Sequence, residues 1–374
     1  MPALRDVLAQ KIAGLDAQHR LRQLQDTARD EGVRVRRGGR ELVSFSCNDY
    51  LGLRSHPHVL AASASATAAG AGASRLVTGN LPLYRQLEAA LATQKKSEAA
   101  LVFGSGYLAN IGTIPALVGA GDLIVADKLI HACMIDGAKL SGAKLLRFAH
   151  NDVAHASTLL EANRGQYKNC LIMTESVFSM DGDLAPLAEL QVMCKKYDAW
   201  LLLDDAHGLQ ELPIQPDVLV GTLSKAAGSY GGFVCGSAEL IAYLQSAARS
   251  LVFSTGLPPA VLAASLAALP LMTAELSETA LKRARQFTTL IELPEAQSQI
   301  VPLVLGSEEA ALDAANKLEE AGFLVSAIRP PTVPEGTSRL RFSFSALHTE
   351  AEVAALAGAV SKTLQVTPHA RAHA

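Results

Sequence analysis

The chain has 374 residues, 49% hydrophobic and 18% charged, with a formal net charge of −3. That composition excludes a disordered chain and offers no basic surface for nucleic acid or an anionic membrane. The length calls for two lobes, one large and one small.

The first segment reads as an amphipathic helix, with Leu4, Leu8, Ile12 and Leu15 on one face. From about Ser44 short apolar runs alternate with helix-period stretches. The runs are AALVF (99–103), DLIVA (122–126), KLLRF (144–148), NCLIMTE (169–175), AWLLLDD (199–205), DVLVGT (217–222) and GFVCG (232–236). A helical stretch between two of them carries Leu187, Leu190, Cys194 and Tyr197. Continuous apolar strands separated by helices predict a mostly parallel sheet covered on both faces, with ligands beyond the carboxyl ends of the strands. After about residue 260 a smaller α+β unit is expected. It holds strand-like QIVPLVL (299–305), a helix opened by Ser307, FLVSAI (323–328), SRLRFSF (338–344) and a last helix capped by Thr349 and Glu352. The expected divisions are 1–45 as an N-terminal helical segment, 46–260 as the large domain and 261–374 as the small one.

Five cysteines, Cys47, Cys133, Cys170, Cys194 and Cys235, form no CxxC pair. Neither a disulfide framework nor a metal site is expected, and a reducing cytoplasm is the default. The opening MPALRDVLAQ lacks the basic-then-apolar pattern of a secretory leader. The most apolar long stretch, 258–274, carries Pro258, Pro259 and Pro270 and is too short to span a bilayer.

The chemistry concentrates just after the apolar runs. Lys225, in GTLSKAAGSYGG, follows a strand and is placed to form an imine with an aldehyde, although a lysine there by itself is usually a solvated residue. Asp204 ends LLLDD, where a buried acid needs a partner and a protonated pyridine nitrogen would serve. Asp204 and Asp205 point to opposite faces of a strand, so only one can take that part. His207, in DDAHG, and His131, in ADKLIHACM, also lie beyond strand ends, as structural histidines or as contacts to a planar ring. Gly104, Ser105 and Gly106 precede a helix and offer free backbone N–H groups, a phosphate cradle or a simple tight turn.

Taken in order, FSCNDYLGL (45–53), GAGASRLVTGN (70–80), FGSGYLANIG (103–112), FAHNDV (148–153), ESVFSMDGDLAPL (175–187), DDAHG (204–208), GTLSKA (221–226), FSTGLPP (253–259) and RLRFSF (339–344) resemble the alpha-oxoamine synthases. The resemblance implies the aspartate-aminotransferase-like fold (fold type I), pyridoxal 5'-phosphate as cofactor and a homodimer. It implies that Lys225 carries the cofactor as a Schiff base, Asp204 pairs with the pyridine nitrogen and His131 stacks on the ring. His207 and Ser179 would contact its 3-oxygen side. Gly106, Tyr107 and Thr222 would surround the phosphate or the ring's edge, and Thr255 would reach the neighbouring subunit's phosphate. The motif IRPPTVPEGTSRLRFSF (328–344) resembles the biotin-pathway branch of the family, which implies L-alanine and pimeloyl-CoA or a pimeloyl carrier protein as substrates. There the amino-acid carboxylate falls to Arg341, with Thr332 and Arg22 as further substrate contacts and Arg20 as the rival to Arg22. Leu340, Phe342 and Phe344 alternate with Arg339, Arg341 and Ser343, so one face of that strand is apolar and the other offers arginines. A member using glycine with another acyl-CoA, or a pyridoxal-phosphate protein without turnover, are the alternatives. A plain aminotransferase shares the fold and the lysine but should not need RPPTVP. One departure stands out: the stretch GLQELPIQPDVLVGTLS after His207 is shorter than relatives usually carry.

Overall fold

The computed structural model describes residues 3–364, which divide into two compact units. The larger comprises Leu51–Ser179 and Asp183–Ser277. Its sheet has seven strands: β1 (Ala99–Phe103), β2 (Leu123–Asp127), β3 (Lys144–Phe148), β4 (Cys170–Glu175), β5 (Trp200–Asp204), β6 (Val218–Thr222) and β7 (Gly232–Gly236). They lie in the order β1-β7-β6-β5-β4-β2-β3. The β3-β2-β4-β5-β6 ladder is parallel and β7 runs antiparallel to both its neighbours. Every expected apolar run is a strand. Leu101, Ile124, Leu171, Leu202, Val220 and Val234 supply one core from the middle of the sheet, which is why these runs are apolar throughout rather than alternating.

The smaller unit gathers the residues up to Tyr50, Met180–Gly182 and those from Glu278 onward. It therefore differs from the expected division. The first 50 residues do not form a separate helical segment, and the stretch 261–277 belongs to the larger unit. Leu4–Ala17 is helical, but its Leu4, Leu8, Ile12 and Leu15 face is exposed and no residue of the helix is buried. Arg34–Arg37 and Arg40–Ser44 form a hairpin instead of helix. Gly38 and Gly39 make its two-residue turn with φ of 54° and 78°, a conformation that side chains oppose. Residues 323–328 were expected as one strand. Phe323–Leu324 pairs with Val43–Ser44, whereas Ser326–Ile328 pairs with Arg339–Arg341 in a three-stranded sheet. Phe45, Phe287, Leu340, Phe342, Phe344, Leu356 and Val360 form the core of this unit. Ser307 accepts from the Ala310 N–H, and Thr349 and Glu352 exchange the two bonds of a capping box.

Among the described residues no single helix is long and apolar enough to cross a membrane, and no cluster of His, Cys, Asp and Glu could hold a metal ion.

Candidate active site

Three parallel strands of the larger unit end side by side and deliver the central groups. β5 ends at Asp204, β4 at Glu175 and β6 at Thr222, with Glu175 and Asp204 directly opposite in register. Asp204 is buried; its Oδ2 accepts from Asn110 Nδ2 at 2.7 Å and its Oδ1 from the Ala206 N–H at 2.9 Å. Asp205 faces the other way, as alternation requires, and meets Lys95 Nζ and Ser176 Oγ at 2.7 and 2.6 Å. The pair thus splits into one acid satisfied by a cation and one held by neutral donors. Gly208 follows because a β-carbon there would collide with Asp205 Oδ1.

Lys225 Nζ lies 2.7 Å from Nε2 of the buried His207. His131 caps the helix Ala132–Ser141, its Nδ1 accepting from the Cys133 N–H at 3.3 Å. Much of that residue is open to solvent, yet the protein packed round its ring lowers its proton affinity, with Asp204 pulling the other way and Lys225 adding to the lowering. The helix Gly106–Leu117 starts at the end of β1. Ser105 takes the Leu108 N–H on its side chain and the Ala109 N–H on its carbonyl, which leaves Gly106 and Tyr107 as the open donors. A β-carbon on Gly106 would lie 3.4 Å from Thr222 Cβ, so glycine keeps the cradle open. Ser179 is buried two residues beyond the Val177–Leu184 bridge, and Tyr107 bonds through its hydroxyl to Asp136. Thr255 is exposed and bridged to Ser74, so the GAGAS and FSTG motifs meet within one chain.

Three residues of this cluster carried no role in the sequence reading. Glu175 is buried beside Asp204 with Oε1 unpartnered; burial, then the Asp204 charge, raises its pKa well above the carboxylate range, against the pull of Lys225. The main-chain N–H groups of His131 and Ser179 pull the other way but are outweighed. Asn110 and Cys133 are the other two. Their signal was present only as spacing: Asn110 stands one helical turn past Gly106, and Cys133 two residues past His131.

The residues suit pyridoxal 5'-phosphate. A buried carboxylate held by neutral donors, buried Asn110 Oδ1 and Glu175 Oε1 without protein partners, two open N–H groups at a helix start and a primary amine match a pyridinium, an anion and an aldehyde.

In the smaller unit, Arg22 Nη2 donates to Thr332 Oγ1 at 3.0 Å, so two expected substrate contacts stand together. Its rival Arg20 is taken up by Glu308 at 2.5 Å and by Glu335. The arginine face of Ser338–Ser343 is not open as expected. Arg339 is buried and paired with Asp181 at 2.5 Å, whereas the buried Arg341 donates to Asn48 Oδ1, Ser343 Oγ and Tyr50 Oη at 3.2, 2.7 and 3.3 Å. The short segment after His207 lines a cleft of about 220 Å³ with Gln94, Lys95 and Met272.

The sequence pattern of the aminotransferase class I and II family matches residues 40–360. An 8-amino-7-oxononanoate synthase of Methylobacterium nodulans is 56% identical over 370 residues, covering 96% of this chain and 97% of its own. One from a Methylobacterium species is 57% identical over 361 residues, covering 94% and 95%. Among solved structures, a serine palmitoyltransferase of S. paucimobilis with a bound PLP–myriocin aldimine superposes with a TM-score of 0.88 at 29% identity, covering 96% and 97%. The 8-amino-7-oxononanoate synthase of Francisella tularensis superposes with a TM-score of 0.72 at 27% identity, covering 87% and 98%.

Proposed function

The chain belongs to the class I and II aminotransferase family, among its alpha-oxoamine synthases, and we propose that it condenses L-alanine with a pimeloyl thioester, with loss of carbon dioxide, to give 8-amino-7-oxononanoate for biotin synthesis. It is a pyridoxal-phosphate-dependent acyltransferase. The observation that carries the chemistry is the buried Asp204 carboxylate, held by Asn110 and a main-chain N–H beside the Lys225 amine and His131.

Lys225 is the residue that would hold the cofactor's aldehyde, and Asp204 the one that would accept from its ring nitrogen. His131 would lie against the ring, Ser179 and His207 on its 3-oxygen side, and Gly106, Tyr107 and Thr222 at the phosphate. Bound there, the cofactor supplies an electron sink for the pair left at the amino acid's α-carbon. Lys225 Nζ takes the α-proton and returns one to the product carbon, with His207 Nε2 holding it in place at 2.7 Å. His131 offers a ring N–H to the oxygen on which charge develops when the thioester is attacked. A neutral Glu175 leaves Asp204 as the one anion facing the ring. Arg341 is assigned the alanine carboxylate, and the Arg22–Thr332 pair a further substrate contact.

We assign the protein to the cytoplasm, since all five cysteines are unpaired and four of them buried. We also assign it a homodimer in which Thr255 serves the phosphate of the opposite subunit. A light-scattering mass of one chain with full activity at the same dilution would overturn that.

The test of the reaction compares kcat/KM for alanine and glycine, each with pimeloyl-CoA and succinyl-CoA, and runs a carrier-protein pimeloyl ester beside the CoA ester. Acyl length is expected to discriminate more than the alanine methyl. Pimeloyl exceeds succinyl by three methylenes, ~2.4 kcal/mol at about 0.8 kcal/mol each, whereas alanine exceeds glycine by one methyl, about 0.8 kcal/mol on the same scale. Glycine with succinyl-CoA beating alanine with both pimeloyl donors would sink the substrate assignment.

A further inference from the structure

Asn110 and Cys133 stand between Asp204 and His131. Asn110 is fully buried on the helix Gly106–Leu117, and its Nδ2 donates to Asp204 Oδ2 at 2.7 Å and to the Cys133 sulfur at 3.2 Å. The same sulfur lies 2.9 Å from His131 Nδ1. The main-chain N–H of Cys133, aimed by the start of its helix, donates to that nitrogen at 3.3 Å.

These contacts decide where the protons sit. The backbone N–H can only donate, so Nδ1 of His131 is an acceptor and a neutral ring must carry its proton on Nε2. The ring's lowered proton affinity agrees with the neutral form. The thiol stays protonated, because burial, then the Asp204 charge, raises its pKa far beyond the usual range. Its S–H is therefore available to Nδ1 while its sulfur accepts from Asn110. Donor meets acceptor at every link of a line running Asp204 Oδ2, Asn110, Cys133, His131.

We infer that Asn110 and Cys133 are positioning residues that lock His131 in its Nε2–H tautomer and tie the orientation of its ring to the Asp204 carboxylate. The use of that Nε2–H on a developing oxyanion rests on the function proposed above; the lock itself does not. Cys133→Ala removes the S–H and one acceptor of Asn110, whereas Cys133→Ser restores both kinds of bond in nearly the same volume. Asn110→Leu cuts the line one link away.

The test reads the ring nitrogens of His131 by NMR in the full chain with isotope-labelled histidine, the signal being assigned by its loss in His131→Gln. It is run first without cofactor and then with pyridoxal 5'-phosphate. The wild type should show a protonated Nε2 and a bare Nδ1. Cys133→Ala and Asn110→Leu should move both nitrogens part of the way toward the tautomer average, the main-chain N–H of residue 133 keeping the remaining bias, and Cys133→Ser should return them. In the loaded enzyme, Cys133→Ala should lower kcat about three- to tenfold with KM for the amino acid unchanged, and serine should recover it. A wild-type ring protonated on Nδ1 overturns the inference. So does a folded Cys133→Ala or Asn110→Leu protein whose His131 signals match the wild type. The nitrogen spectrum of the cofactor-free protein involves no substrate, so failure of the substrate assignment leaves this result standing by itself.

Discussion

Replacing His150 by Gln should destabilise the larger unit at neutral pH and much less in alkali. His150 Nδ1 lies 3.0 Å from Asp127 Oδ1, and its Nε2 lies 2.7 Å from Asp183 Oδ2. Its ring meets Phe178 edge-on at 4.4 Å between centroids. Burial lowers its proton affinity, but the bonds to the two carboxylates overcome that and raise its pKa from 6.5 to about 10. At ~1.4 kcal/mol for each tenfold in proton affinity, that difference corresponds to about 5 kcal/mol of linked stability. The side chain keeps 25% of its exposure, so solvent screens part of the attraction. In addition, Asp127 still receives the Leu129 and Asn151 N–H groups in the variant. About half the ceiling, ~2–3 kcal/mol, is therefore the expected loss. A folded-state pKa above the unfolded one stabilises fully below pH 6.5, and the contribution disappears as pH rises through about 10. Urea unfolding of both proteins across that window should show a gap that is widest at the acid end and closes at the alkaline end. A gap that stays constant or widens with pH refutes the reasoning. Asp127 ends the strand that leads to His131, and the Asp183 carbonyl accepts from the N–H of Phe178, the neighbour of Ser179, so the variant should also hold its cofactor less tightly at neutral pH.

Asp204→Asn should keep the fold and lower the rate about 10²–10⁴-fold. Asp205→Asn, which strands Lys95, should instead cost ~3 kcal/mol in urea unfolding with the cofactor's absorbance unchanged; the reverse pattern would mean the two acids are misassigned. Glu175→Gln should stay within about threefold of the wild-type kcat, because the carboxyl is already neutral, and a loss of about a hundredfold would show that its charge is needed. Arg22→Ala should raise KM for a substrate about tenfold, whereas Arg20→Ala, whose guanidinium is engaged by Glu308 and Glu335, should leave KM unchanged.

Much of this protein is local. An apolar run bounded by turn residues can satisfy its backbone only as a strand inside a sheet, so the seven runs between Ala99 and Gly236 could be read directly. The caps at Ser307 and Thr349, the open helix start at Gly106 and the opposed faces of Asp204 and Asp205 follow from chain geometry within a few residues. Strand order and register are not local, and they decided the rest. Burial, and then the parallel pairing that sets Asp204 opposite, raise the pKa of Glu175, whereas Asp205 is ion-paired because Lys95, 110 positions away, reaches it. Arg339 and Arg341 share a strand face, yet Asp181 neutralises the first, while Glu308 and Glu335 take Arg20 and leave Arg22 to Thr332. Residues 323–328 divide between two sheets because each half finds a different partner strand. Periodicity tells which way a side chain points; which charge or hydrogen-bond partner it meets there depends on elements brought together only by the packing of the whole unit.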